Sequence, residues 1–206
     1  MGKIERKYLA HYIDSAFNEN IEYSLTEDET LDSSKTYYER SGTEGSYTYT
    51  AVSSPDVSDI ATYYEGAIVP VYVRLGKDLE EYNEELNPDV EVNKNILGEQ
   101  SVQNNGYEVQ SDVDPYYAYD GDALFTRLCA IANGRLTGNA CMTTKVDVLV
   151  DSEGEVIWAY QEDCYVIPNT IGGDTSGVQI PFTVYNAGNR KKGTFDTDTK
   201  EFEPNS

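Results

Sequence analysis

The chain has 206 residues, with 37 acidic side chains against 15 basic ones and a formal net charge of −22. That length suits one core plus elaborations, and that charge rules out a phosphate-binding surface as the default, so nucleic-acid binding is not expected. Mean hydropathy is −0.57, and no apolar run reaches the roughly 18 residues that span a bilayer.

The opening MGKIERKYLAHYIDSAF has no apolar core of a signal peptide, so synthesis and folding in a cytoplasm are expected. Its apolar positions Ile4, Tyr8, Leu9, Tyr12, Ile13 and Phe17 fit either a helix or an extended arm. Residues 1–20 are read as an N-terminal arm of the main domain. Residues 21–66 differ in texture: they are rich in Tyr, Thr and Ser, and KTYYE at Lys35–Glu39 nearly repeats as ATYYE at Ala61–Glu65. Thr and Tyr favour strands, and SGTEGS at Ser41–Ser46 supplies a turn, so a small strand-rich insertion is expected. With so few aliphatic residues, its tyrosines are expected to pack it on the main domain.

The main domain is placed at 67–206. Ala67–Leu75, AIVPVYVRL, reads as a strand, with Pro70 marking an edge. From Asp78 to Asp122 there are thirteen Asp and Glu against the single Lys94. Within that stretch, Asn87-Pro88-Asp89 and the apolar Val90, Val92 and Ile96 predict a long hairpin, and Ser101–Gln110 a further strand with a turn or bulge at Asn104-Asn105-Gly106. One helix is well signalled: Asp120 or Asp122 caps it, Leu124, Phe125, Leu128, Cys129 and Ile131 make its apolar face, and Gly134 closes it. Thr143–Val150, Val156–Pro168 and Val178–Asn186 follow as strands. The segment FDTDTKEFEP then forms a last strand or hangs loose. The expected fold is mostly β, a β-rich α+β chain: an antiparallel β-sandwich or open barrel with one flanking α-helix, a long hairpin and a small β insertion.

The motifs that carry chemistry are weak. Cys129, Cys141 and Cys164 are odd in number and form no CxxC pair, and His11 is the only histidine, so neither metal nor redox work is expected. Gly173-Asp174-Thr175-Ser176-Gly177 has the look of a serine-nucleophile loop without a base to activate it, and reads as a turn. Asp112, Asp114, Asp120 and Asp122 lack the central Gly and terminal Glu of a calcium loop, and read as caps and turns. Scattered carboxylates do not define a glycosidase pair, and Trp158 in a strand reads as core. No catalytic residue, cofactor or metal is expected.

Several segments together resemble the major tail tube proteins of phages and prophages of Gram-positive bacteria. They are IERKYLAHYID at Ile4–Asp14, YVRLGKDLEEYNEELNPDVEVNKNILGE at Tyr72–Glu99, NNGYEVQSDVDPYYAYDGDALF at Asn104–Phe125, NGRLTGNACMTTKVDVLV at Asn133–Val150 and DTSGVQIPFTVYNAGNRKKGT at Asp174–Thr194. The insertion looks like a short module found within various phage structural proteins. The resemblance implies a structural virion protein of tail-tube fold rather than an enzyme. It further implies that copies form hexameric rings stacked into a hollow tube through which DNA passes without specific binding. Implied partners are other copies of the chain, a tape-measure protein, a tail terminator and distal tail or baseplate proteins. The implied location is the virion tail, assembled in the host cytoplasm, with no membrane insertion.

A negative lumen repels phosphate, which makes Glu80, Glu81, Glu84 and Glu85 candidates for the lumen wall or the ring junctions. Ordinary solvated surface charge is the competing use of the same residues. Two other readings of the chain stay open: the inner tube of a contractile tail-like particle, and a monomeric β-sandwich that binds a surface glycan through tyrosines of the insertion.

Overall fold

The computed structural model describes residues 4–28 and 30–205. Strand takes 49% of the chain and helix of every kind 12%, which makes the fold mostly β, as composition and pattern predicted. In chain order the strands are β1 (Leu9–Asp14), β2 (Ile21–Leu25), β3 (Tyr37–Thr43), β4 (Ser46–Ala51), β5 (Tyr64–Ile68), β6 (Tyr72–Leu75), β7 (Pro88–Lys94), β8 (Gln100–Tyr107), β9 (Gln110–Val113), β10 (Met142–Val150), β11 (Val156–Pro168), β12 (Gly172–Asp174), β13 (Gly177–Gln179), β14 (Phe182–Phe195) and β15 (Phe202–Pro204). The α-helix α1 is Ala123–Gly134. Residues up to Phe17 together with those from Pro70 onward make one compact unit, and Asn18–Val69 makes another.

The first unit is built on an antiparallel sheet in the order β15-β14-β11-β10-β1-β6, with β9 also paired to β14. The sheet curls into a half-barrel. The opening segment that fitted both periods is a strand. After a short turn at Arg6–Tyr8, β1 pairs with β10 on one side and β6 on the other. Alternation then sorts its side chains: Ala10 and Tyr12 join Tyr72, Val146, Val148, Ala159 and Phe195 on one face, while Ile13 joins the other. That second face takes α1, whose Leu124, Leu128 and Ile131 are buried with Cys164, Val166, Phe182 and Val184. Asp122 caps the helix by accepting from the Phe125 amide at 3.1 Å. The left-handed residue that ends it is Arg135 (φ 49°), not Gly134 as the glycine signal suggested.

Two apolar runs read as single strands are each broken at a proline. Ala67–Leu75 divides at Pro70 into the end of β5 and the start of β6, and Val178–Asn186 divides at Pro181 into β13 and β14. A ring at each position removes the amide that a continuous ladder would need. The terminal segment takes the strand alternative, with β15 paired to Gly193–Phe195.

Where the chain leaves the first unit and returns to it, the fully buried Asp14 gathers backbone donors. Its Oδ1 accepts from the Val71 and Ala16 amides at 2.8 and 3.0 Å, and the Ser15 amide donates to Val71 O at 3.0 Å.

The second unit is a four-stranded sheet in the order β2-β5-β3-β4. The β3–β4 turn falls within the SGTEGS motif, with Thr43 paired to Ser46. Tyr37, Ile60 and Tyr63 are its large buried apolar side chains among the described residues, with Thr26 buried in the same unit. On the other face the tyrosines pack on each other: Tyr23 stacks on Tyr49 at 3.9 Å, Tyr38 meets Tyr23 edge-on, and Arg40 lies over the rings of Tyr47 and Tyr64. Gly66 makes this possible, because a Cβ there would stand 2.9 Å from Ile21 Cγ2 and 3.3 Å from Tyr23 and Tyr38.

Candidate functional site

The long hairpin exists, with different strands from those the sequence suggested. Pro88 opens β7 instead of lying in the turn, and the turn is at Asn95–Glu99, where the Asn95 side chain accepts from the amides of Leu97 and Glu99 at 2.9 and 3.0 Å. The expected bulge is present, with register shifting between Asp89 and Val90 opposite Asn104–Gly106. Among the described residues the two strands pair only with each other. Val92 opposite Val102, with Val90 beside them, makes one apolar face, and all three are exposed. At the tip Ile96 is 103% and Leu97 78% exposed. A lone two-stranded ribbon is marginal in water, and an alternating apolar face ordinarily lies against a core.

The four candidate acids precede the hairpin, in the irregular segment between β6 and β7, and they diverge. Glu80 and Glu81 are exposed. Glu85 is exposed too, bridging backbone to backbone with Gln110 at 2.8 and 3.1 Å. Glu84 instead turns in and pairs with the Lys145 ammonium. The structure therefore does not gather them into one set.

What it gathers is a charged cluster that the sequence reading overlooked. Strand alternation puts His11 of β1 beside Asp147 of β10, and Lys145 beside Glu162 of β11, all on the helix-bearing face. His11 Nδ1 lies 2.6 Å from Asp147 Oδ1, and Lys145 Nζ 3.0 Å from Asp147 Oδ2. The Tyr82 ring packs on His11 with centroids 4.3 Å apart. Lys145 is 1% exposed and Asp147 1%, so each charge relies on its neighbours in place of water. Burial alone would raise Asp147; the His11 hydrogen bond and the Lys145 charge outweigh it and hold the carboxyl at about 2. Burial likewise opposes the Lys145 charge, but Asp147, Tyr82 and Glu84 outweigh it and raise the ammonium above its ordinary value. Burial pushes the Tyr82 hydroxyl and the Cys164 thiol up. Next along the face, Glu162 accepts from Arg190 at 2.7 Å and from Asn186 at 3.0 Å. The signal was in TTKVDVLV: Lys145 and Asp147 stand two apart in an apolar strand and so share a face.

The other motifs resolve into local structure. Ser176 sits in the β12–β13 turn, its amide donating to Asp174 at 2.7 Å. Asp122 caps α1, and Asp112 accepts from Thr183 at 2.6 Å. Among the described residues no group of three or more His, Cys, Asp or Glu is placed to hold a metal ion. Cys141 and Cys164 are buried thiols and Cys129 is half-buried.

Comparison with known proteins returns no matching family model and no matching curated protein.

Proposed function

We propose that the chain is the major structural subunit of a phage-type tail tube. Copies close into rings, six to a ring, each adding its curled antiparallel sheet to a barrel around a lumen. Rings stack head to tail into the conduit for ejected DNA. Open strand edges supply lateral pairing, since an unpaired edge is a template for another chain. The tube forms around a tape-measure protein between a terminator and distal tail proteins, in the host cytoplasm, and the chain performs no catalysis. The second unit is an outer decoration, placed where an insertion disturbs no contact needed for assembly.

The observation that carries this reading is the hairpin β7–β8. Its apolar face and its tip are bare in the single chain, an arrangement that is marginal in water and gains from a partner that covers it. The strong net charge accounts for how such a chain stays dispersed before it assembles. It also provides a lumen that phosphate does not adhere to. Glu80 and Glu81, both exposed, are the acids of the original four left open to a lumen or a ring junction.

Light-scattering mass across a concentration series, with and without pre-formed tail tips as seeds, tests the proposal. Mass rising to rings and polymers supports it. A monomer at every concentration, seeded or not, contradicts it and returns the question to a glycan-binding module.

A further inference from the structure

Beside the open edge of β6, a chain that is otherwise strongly acidic gathers cations. A cavity of about 430 Å3 has Arg6, Lys7, Arg74 and Lys77 in its wall. The Arg6 guanidinium is fixed by donating to Leu9 O at 2.5 Å and Tyr82 O at 3.1 Å, and Arg74 by donating to Lys7 O at 3.3 Å. Each guanidinium carries five N–H groups, so both keep donors for an incoming acceptor. Lys77 lies over the Tyr119 ring at 3.0 Å. The apolar part of the wall is Leu9, Leu75 and Leu79.

His11 belongs to the same wall. It is only 6% exposed, Asp147 holds its Nδ1, and its Nε2 has no hydrogen-bond partner among the described residues. A buried ring nitrogen without a partner is costly, and such atoms in native proteins are ordinarily satisfied. The edge of β6 away from β1 is unpaired as well, which leaves backbone groups available along one side.

We infer that this cavity receives the tip of the β7–β8 hairpin, Asn95–Glu99, from a second copy of the chain. The inference rests on the tube reading and names the receptor for its bare hairpin. Ile96 and Leu97 are the two most exposed large apolar side chains among the described residues. The cavity offers three leucines to cover them. Glu99 stands two residues beyond Leu97, and one of its oxygens is taken by the Asn95 amide at 2.6 Å. Its other oxygen faces the arginines once the tip is seated. Glu80 and Glu81 lie in the same wall and offset part of its positive charge, so a segment needs the apolar tip as well as the carboxylate to fit.

The test is a cross-link between two singly substituted chains. Leu97→Cys and Lys77→Cys are each made in a separate full-length chain, mixed under assembly conditions and oxidised mildly. Both positions are exposed, so neither change disturbs folding. The expected product is a disulfide-linked dimer that needs both variants. Arg74→Glu added to the Lys77→Cys chain lowers its yield about tenfold, because like charges then face each other. Polymer that forms without this dimer, or with a yield unchanged by Arg74→Glu, overturns the inference and leaves the tube reading standing. If the unsubstituted chain forms no polymer even when seeded, the tube reading fails and the inference with it.

Discussion

Replacing Lys145 by Met tests the charged cluster and, through it, what the main sheet tolerates. Met fills the volume of the Lys stem but removes the ammonium that lies 3.0 Å from Asp147 and also pairs with Glu84. Asp147 would remain 1% exposed with only His11 beside it. Removing one partner of a buried pair costs about 3–5 kcal/mol, and at this chain size a cost of that order lowers the melting temperature by roughly 6–20 °C.

The sign of the pH dependence is fixed. Asp147 is depressed from 3.8 to about 2, so its contribution, roughly 2 kcal/mol, is fully present above 3.8 and is lost as pH falls through about 2. Without the Lys145 charge Asp147 is less depressed and has less to lose, so the gap between variant and parent narrows below pH 4. Urea unfolding followed by circular dichroism at pH 7 and pH 3.5 measures both quantities. The double variant Lys145→Met with Asp147→Asn should recover at least about 1 kcal/mol of the sum of the single effects, because no unpaired charge is left buried. A Lys145→Met cost under about 1 kcal/mol, or additive single effects, would refute the argument.

Excising 18–69 and joining Phe17 to Pro70 through a short Gly-Ser link should leave a folded first unit with a cooperative transition, because Asp14 and Ser15 already hold Val71; loss of near-ultraviolet dichroism in that variant would contradict it. Gly66→Ala should destabilise the second unit by about 1–3 kcal/mol through the 2.9 Å approach to Ile21, seen as earlier proteolysis confined to 18–69. Val92→Glu should leave monomer stability within about 0.5 kcal/mol, since the side chain is exposed, yet abolish polymer measured by sedimentation. Asp122→Ala should cost about 1 kcal/mol by removing the helix cap, measured by thermal unfolding.

Much of the fold was legible because its signals are local. The α1 cap at Asp122, and the alternation through β10 and β11, depend on neighbours a few residues apart. The opening strand was ambiguous because Tyr8, Leu9, Tyr12 and Ile13 fit both periods, and only pairing with β10 and β6, far away in sequence, decides between them. The hairpin turn was misplaced because Asn87-Pro88-Asp89 is a strong local signal, whereas the true turn depends on the Asn95 side chain closing on Leu97 and Glu99. The site was harder to read than the fold. Glu80, Glu81, Glu84 and Glu85 look equivalent in a row, and what separates Glu84 is a lysine sixty-one residues away. The cations of the cavity come from Arg6 and Lys7 at one end of the sequence and Arg74 and Lys77 beyond the second unit, a grouping that exists only after β1 and β6 pair.

The most direct measurement is negative-stain electron microscopy of the purified full chain at rising concentration. The account predicts rings or hollow tubes of one uniform width. Dispersed single particles at every concentration and salt, even with pre-formed tail tips present, would contradict it.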